Sequence, residues 1–147
     1  MVWSDFNLSL QVMRVEKEIE KIFSIIKKIK IIGTTREDKT EWLLGFSEVR
    51  FINYNSEGKK LSFKIFGKVP TAKEIFVSLN GKSMLSISVE GMTFPAHQEI
   101  FLPAEALIRG ENVVGLSVDK PATPRALGLS TDSRLLGVAV RDIALSQ

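Results

Sequence analysis

The sequence predicts a mainly β protein, an antiparallel β-sandwich or jelly roll preceded by an N-terminal coiled-coil α-helix. Two observations carry this prediction. A heptad pattern of apolar residues runs from Leu8 to Ile29, and from Trp42 onward short alternating segments follow one another at spacings of roughly 8–15 residues, separated by turn residues. Because no helix-length pattern separates those segments, the spacing favours an antiparallel sandwich over a parallel α/β sheet.

The composition limits the classes of function. The 147 residues provide one ordinary domain plus the helix, and the net charge of +3 is too small to indicate a nucleic-acid partner. The absence of cysteine excludes disulfides and thiolate metal sites. Nothing approaches the ~20 apolar residues of a membrane span, and no signal peptide is recognisable. We therefore expect a cytoplasmic protein without a cofactor, metal or membrane span.

Residues 1–33 are predicted to form an oligomerising helix. Their apolar residues recur at alternating steps of four and three, which is the seam of a coiled coil. β-branched residues at both core positions favour three or four strands over two, and we expect a homotrimer. The alternative is a single amphipathic helix packed on its own domain. The predicted seam consists of Leu8, Val12, Val15, Ile19, Ile22, Ile26 and Ile29.

Residues 34–41 are polar and predict a linker, and residues 42–147 predict the β-sandwich module. Asn80-Gly81 lies between two alternating segments, which is the strongest local signal for a two-residue hairpin. The predicted inward-facing sets are Leu61/Phe63/Ile65, Ile75/Val77/Leu79 and Leu85/Ile87/Val89. The predicted strands are 47–54, 61–66, 74–79, 82–90, 98–102, 113–119 and 136–145, with a helical turn at 103–107 and a long loop at 120–133.

The C-terminal segment 132–145 carries a motif, D-x-R-x-L-G-x-x-V-x-x-I-x-L in outline. It resembles the closing motif of small β-sandwich modules appended to bacterial enzymes of surface-polysaccharide (O-antigen and capsule) assembly, among them glycosyltransferases. The V-S-L-N-G-K hairpin and the E-N-V-V-G-L-S-V strand agree with this resemblance, which spans about residues 42 to 147. The resemblance implies a non-catalytic module that binds carbohydrate or serves as a scaffold.

Carbohydrate sites combine an exposed aromatic ring with polar groups that pair with hydroxyls. Tyr54 is an amphipathic candidate for a binding edge, and Phe66 and Phe76 lie out of phase with the core sets beside them. The alternative for both phenylalanines is a second layer of core, or the surface on which the N-terminal helix docks.

Three polar residues complete the candidate ligand-binding set. Asp132 and Arg134 stand two apart before the last strand, where they would grip sugar hydroxyls or, the interpretation we favour, form a structural bridge that pins the long loop. His97, the single histidine, is expected in a surface loop as a hydrogen-bond donor at a binding face. No metal-ligand spacing surrounds it.

We identify no catalytic residue. The sequence has no G-x-S-x-G motif, and Glu90, Glu99 and Glu111 are acids that no context distinguishes as a glycosidase pair. The expectation is a non-enzymatic protein. The alternatives are a trimeric fibre-type head that binds a receptor and, ranked below it, a small hydrolase.

Overall fold

The computed structural model describes residues 29–55 and 57–147, together with Val12, Arg14 and Val15. Within the two continuous ranges the chain forms ten strands and a short 3-10 helix, Ala104–Ala106. The strands are β1 (Lys30–Ile32), β2 (Thr35–Glu37), β3 (Thr40–Leu43), β4 (Ser47–Asn53), β5 (Lys59–Lys68), β6 (Glu74–Leu79), β7 (Lys82–Ser88), β8 (Ala96–Leu102), β9 (Gly110–Val118) and β10 (Val138–Ser146).

The strands form two five-stranded antiparallel sheets. The first sheet has the order β1-β4-β9-β6-β7, and the second has the order β2-β3-β10-β5-β8. Buried residues from both sheets belong to one hydrophobic core, so the sheets pack face to face as a β-sandwich. The predicted mainly β, antiparallel sandwich is confirmed.

Alternation along the strands places the core where the sequence predicts it. Phe63 of β5 and Ile75 of β6 are almost completely buried, as are the other members of their predicted sets. Leu85 of β7 differs, because 42% of its surface is exposed. It lies in the edge strand of the sheet and pairs with Val77, beside a register shift at Val77/Ser78. The β7 residues that pack against the core are its neighbours Met84 and Ile87.

The hairpin between β6 and β7 forms as predicted. Asn80 and Gly81 both have positive φ angles, 50° and 85°, which asparagine and glycine tolerate best. The side chain of Asn80 also bonds outside its own turn, because its Oδ1 accepts from the Val113 amide and its Nδ2 donates to Asn112. The turn is therefore fixed to β9 as well as to its own strands.

The sandwich begins earlier than the sequence predicts. Lys30–Ile32, assigned to the end of the helix, pairs with β4, and the predicted linker contains β2 and the first half of β3. Residues 34–41, predicted as a linker, thus contribute strand segments to the second sheet. The reason is tertiary pairing: Ile31 packs against the core, and the polar 34–41 segment gains strand partners that its composition does not reveal.

Most of the predicted helix lies outside the described residues, including Leu8, Ile19, Ile22 and Ile26 of the seam. Val12 and Val15 have helical backbone and are exposed, whereas Ile29 packs against the sandwich core. The coiled coil and the trimer therefore stay predictions. In the part of the chain that is described, no helix is long and apolar enough to cross a membrane.

Candidate functional site

The six predicted ligand-binding residues lie in four separate places. Tyr54 follows β4 at one end of the sandwich, whereas Phe66 and His97 project from the outer face of the second sheet. Phe76 projects from the outer face of the first sheet, and Asp132 and Arg134 lie in the loop before β10. The six residues therefore do not form a single binding face.

Two concavities flank Tyr54 where β4 ends and β5 begins. The larger cleft has a volume of about 500 Å³ and is lined by Ile52, Asn53, Tyr54, Asn55, Lys59, Leu145, Ser146 and Gln147. The smaller cleft has a volume of about 280 Å³ and is lined by Asn53, Tyr54, Asn55, Ala104, Leu107 and Arg109. In the larger cleft the end of β4 provides one wall and the start of β5 with the end of β10 provides the other, so it lies between the two sheets.

Strand alternation places Asn53 and Lys59 at the inner edge of the larger cleft. Asn53 continues the inward-facing positions of Val49 and Phe51 in β4, and Lys59 precedes the inward-facing Leu61 in β5. Both are largely buried, with 3% and 7% of their surface exposed. The end of the sandwich interior is therefore polar rather than apolar.

Lys59, the first residue of β5, bonds to the loop that joins β4 to β5. Its Nζ donates to Asn55 Oδ1 over 2.9 Å, and the same oxygen accepts from the Glu57 amide at 3.2 Å. Among the described residues no carboxylate lies within ion-pair distance of this ammonium. Lys59 is thus a buried cation whose protein partner is a neutral amide.

Asn53 leaves one polar atom without a partner. Its Nδ2 donates weakly to the Ile108 carbonyl at 3.5 Å, while its Oδ1 is buried and has no hydrogen-bond partner in the described chain. A buried acceptor left in this way costs about 1–3 kcal/mol. Asn53 lines both clefts, so this unpartnered acceptor belongs to a residue at the inner edge of each.

Asn112 shapes the smaller cleft from behind. This fully buried amide accepts from the Ile108 amide at 2.9 Å and donates to the carbonyls of Ile108 at 2.9 Å and Gly110 at 3.2 Å. Those bonds fix the backbone on both sides of Arg109. The Arg109 side chain is exposed and has neither an ion pair nor a hydrogen bond among the described residues.

On the outer face of the second sheet, polar and aromatic side chains contact one another. The Arg141 guanidinium lies 4.5 Å from the centre of the Phe66 ring, and its Nε donates to Thr40 Oγ1 at 2.7 Å. His97 Nε2 is 3.2 Å from Glu99 Oε1. Hydrogen bonding to His97, with the charge of Lys60, lowers the pKa of Glu99.

His97 belongs to β8 and not to a loop, because β8 begins at Ala96 and pairs with β5. Phe76 is 47% exposed, with Ser86 and Ser117 opposite it on the neighbouring strands. Neither residue lines a cleft beside Tyr54.

Asp132 and Arg134 form a bridge between the long loop and β2. The Arg134 guanidinium donates to both oxygens of Asp132, the shortest contact being 2.7 Å, and to Glu37 Oε2 at 3.0 Å. These hydrogen bonds hold the pKa of Asp132 at about 2, below its ordinary 3.8. The geometry is that of the structural bridge.

Gly137, in the same C-terminal motif, has a packing reason as well. A Cβ at this position would overlap the backbone oxygen of Leu43 in the neighbouring strand. The D-x-R-x-L-G part of the motif thus serves the fold, and it lies away from both clefts.

The site residues predicted from the sequence do not include Asn53, Lys59 or Arg109. The first two carry a recognisable signal, because both are polar residues at the core phase of an otherwise apolar alternation. Arg109 carries no such signal, since the fold alone brings the loop after the 3-10 helix beside Tyr54. In the described ranges no group of three histidine or acidic side chains is placed to hold a metal ion.

No protein-family model matches the sequence, and no curated protein matches it. Among solved structures, the fold is similar to an acetyl xylan esterase (Est2A) from the rumen bacterium Butyrivibrio proteoclasticus, with a TM-score of 0.44 and 12% identity. That similarity covers 82% of this chain and 30% of the esterase, so the chain spans less than a third of that protein. A family 35 carbohydrate binding module from Clostridium thermocellum has a TM-score of 0.34 and 10% identity, over 78% of this chain and 92% of the module. These are remote similarities.

Proposed function

We propose that the protein is a non-catalytic carbohydrate-binding module that holds a glycan in the larger cleft beside Tyr54. The observation that carries this proposal is a half-exposed tyrosine ring next to a buried amide oxygen, Asn53 Oδ1, that has no donor among the described residues. A sugar offers the two matching surfaces. Its C–H face stacks on an aromatic ring, and its hydroxyls donate to amide and hydroxyl oxygens.

The dimensions of the larger cleft agree with this role. Its volume of about 500 Å³ lies within the range of ~300–1,000 Å³ that is usual for small-ligand sites. Ser146 and Asn55 add a hydroxyl and a second amide to the lining, while Ile52 and Leu145 supply apolar surface. Such a mixture of a few polar groups on an apolar wall suits a molecule with both hydroxyls and hydrocarbon faces.

The wider setting is part of the proposal. The C-terminal motif supports a module of a bacterial surface-polysaccharide assembly enzyme, and the heptad seam supports a homotrimer joined by its N-terminal helix. Three linked copies would raise the avidity for a repeating polymer through effective concentration. Against a hydrolase, we find no pair of carboxylates in the lining of either cleft.

The test is a titration of the purified chain with fragments of bacterial surface polysaccharides, followed by calorimetry and by NMR shift mapping. We expect saturable binding with shifts around residues 52–59, and we expect Tyr54→Ala to weaken it at least about tenfold, or ~1.4 kcal/mol. Phe76→Ala is the matched control, because it removes an exposed ring outside the clefts and should bind like the wild type. A folded protein that binds no glycan at millimolar concentration, or shifts that cluster around Phe66, would overturn the proposal.

A further inference from the structure

We infer that the glycan is acidic, and that its carboxylate, phosphate or sulfate group lies against Lys59 in the larger cleft. This inference rests on the proposed function and names the class of sugar that the same cleft selects. It starts from the charge of the cleft, which is independent of the tyrosine ring.

Lys59 is buried without a charged partner among the described residues. Lysine is almost never buried without a partner of opposite charge, because an ammonium group removed from water loses its solvation. Lys59 is 7% exposed, yet its one hydrogen bond within the described chain is to the neutral oxygen of Asn55. An ammonium has three donors, so two remain for an acceptor in the cleft.

The charged side chains that line the two clefts are both positive. Between them the two clefts are lined by Lys59 and Arg109 and by no aspartate or glutamate. Several cations elsewhere on the described surface behave differently: Arg50 pairs with Glu48 at 2.8 Å, and Lys60 pairs with Glu99 at 3.5 Å. The side chains that line the two clefts therefore include positive charges and no negative ones.

The two cations lie in different clefts. Lys59 belongs to the larger cleft and Arg109 to the smaller one, with Tyr54 lining both. A sugar ring stacked on Tyr54 would place its acidic substituent toward Lys59. A second acidic sugar unit of the same glycan would reach Arg109. Since Arg109 is exposed, its contribution should be weaker and more sensitive to salt than that of Lys59.

The experiment compares two ligands that differ only in charge: an oligosaccharide containing glucuronic acid, and the same oligosaccharide with its carboxyl groups reduced to hydroxymethyl groups. Calorimetry of the full chain at low and high sodium chloride should show the acidic form binding about tenfold or more tightly, with the preference falling as salt rises. Phosphorylated and sulfated sugars of the same size then rank the three acidic groups.

Lys59→Met removes the charge and keeps an unbranched apolar stem of similar reach. We expect it to bring the ratio of acidic to neutral affinity close to one. Lys60→Gln is the matched control, because the neighbouring lysine lies on the outer face, is 42% exposed and should leave the ratio unchanged. Arg109→Gln serves as a second variant whose folding is not in question, and it should lower the ratio by a smaller factor.

The outcomes separate the two proposals. Equal affinity for the acidic and neutral forms would overturn this inference and leave the glycan cleft standing. A preference that Lys59→Met and Arg109→Gln both leave intact would overturn it as well. Binding of neither form would overturn the proposed function itself. Saturable binding of inorganic phosphate or sulfate alone, lost in Lys59→Met and without any glycan binding, would identify a simple anion site and overturn both.

Discussion

Asn112 shows how one buried side chain can position a binding surface that it does not touch. It has no exposed surface, and its amide joins the hairpin turn at Asn80 to the loop that carries Arg109. Both of its polar atoms are fully used, as expected for a polar group in a protein interior. The loop beside Tyr54 is therefore held by hydrogen bonds from the core in addition to the packing of Leu107.

Replacing Asn112 with alanine is expected to destabilise the whole sandwich. The Ile108 amide and two carbonyl groups would lose their partner, and each buried polar group left unsatisfied costs about 1–3 kcal/mol. We expect the free energy of unfolding to fall by about 2 kcal/mol or more in a urea titration. Ser117→Ala, on the outer face of the same strand, is the control and should change it by less than ~0.5 kcal/mol. Equal stability of the two variants would contradict this account.

At the scale of elements, the long loop between β9 and β10 is held by a few specific bonds and little regular structure. The Asp132–Arg134–Glu37 bridge ties it to β2, and a pair of hydrogen bonds between Ala122 and Leu136 closes it. Thr35 adds a third link by donating to the Leu135 carbonyl at 3.1 Å. The bridge is the one of these links that pH can break.

The bridge predicts loss of stability in acid. The pKa of Asp132 is lowered to about 2 in the folded protein from an ordinary 3.8, so its contribution is complete above about pH 4 and is lost as the pH falls toward 2. We expect Asp132→Asn to melt at a lower temperature than the wild type at pH 5 and the two melting temperatures to converge near pH 2. Arg134→Gln should behave like Asp132→Asn, because it removes the other half of the same bridge. Parallel curves for wild type and variants from pH 5 to 2 would contradict the assignment.

The elements that can be predicted from the sequence are those whose conformation is set by residues close together in the chain. The Asn80-Gly81 hairpin is predictable because two adjacent residues tolerate positive φ, and the buried sets of β5 and β6 follow from alternation alone. Strands β1 and β2 are not predictable in this way. Lys30–Ile32 continues a helical period, and its strand conformation comes from pairing with β4, which lies about twenty residues further along the chain.

The candidate site follows the same division. Tyr54 is recognisable as an amphipathic residue at the end of a strand, and Lys59 and Asn53 could be recognised as polar residues in core phase. That these three meet Leu145 and Arg109 depends on the order of strands within each sheet, which no local pattern encodes. Phe66 and Phe76 show the converse. Each is exposed as predicted, but they lie on opposite outer faces of the sandwich.

At the scale of the whole molecule, the heptad seam and the sandwich are expected to be separable. We expect the full chain to be trimeric in light scattering and a chain beginning at Ile29 to be a folded monomer, because β1 and the core are complete from that residue. A chain beginning at Thr34 should melt at a lower temperature, since it lacks β1 and the bond from Ser47 Oγ to the Gly33 carbonyl. A trimer without residues 1–28, or a monomeric full chain, would contradict the assignment of assembly to the helix.

The larger cleft lies between the sheets, so a molecule bound there would affect local opening of the sandwich. Opening the sandwich at this end would pull β4 away from β5 and β10, which are the walls that an occupant touches together. A molecule bound in the cleft would contact both sheets, and it should make opening motions that separate β4 from β5 and β10 less frequent. Amide hydrogens along the inner strands should then exchange with deuterium more slowly when the cleft is filled, even at positions that the occupant never reaches.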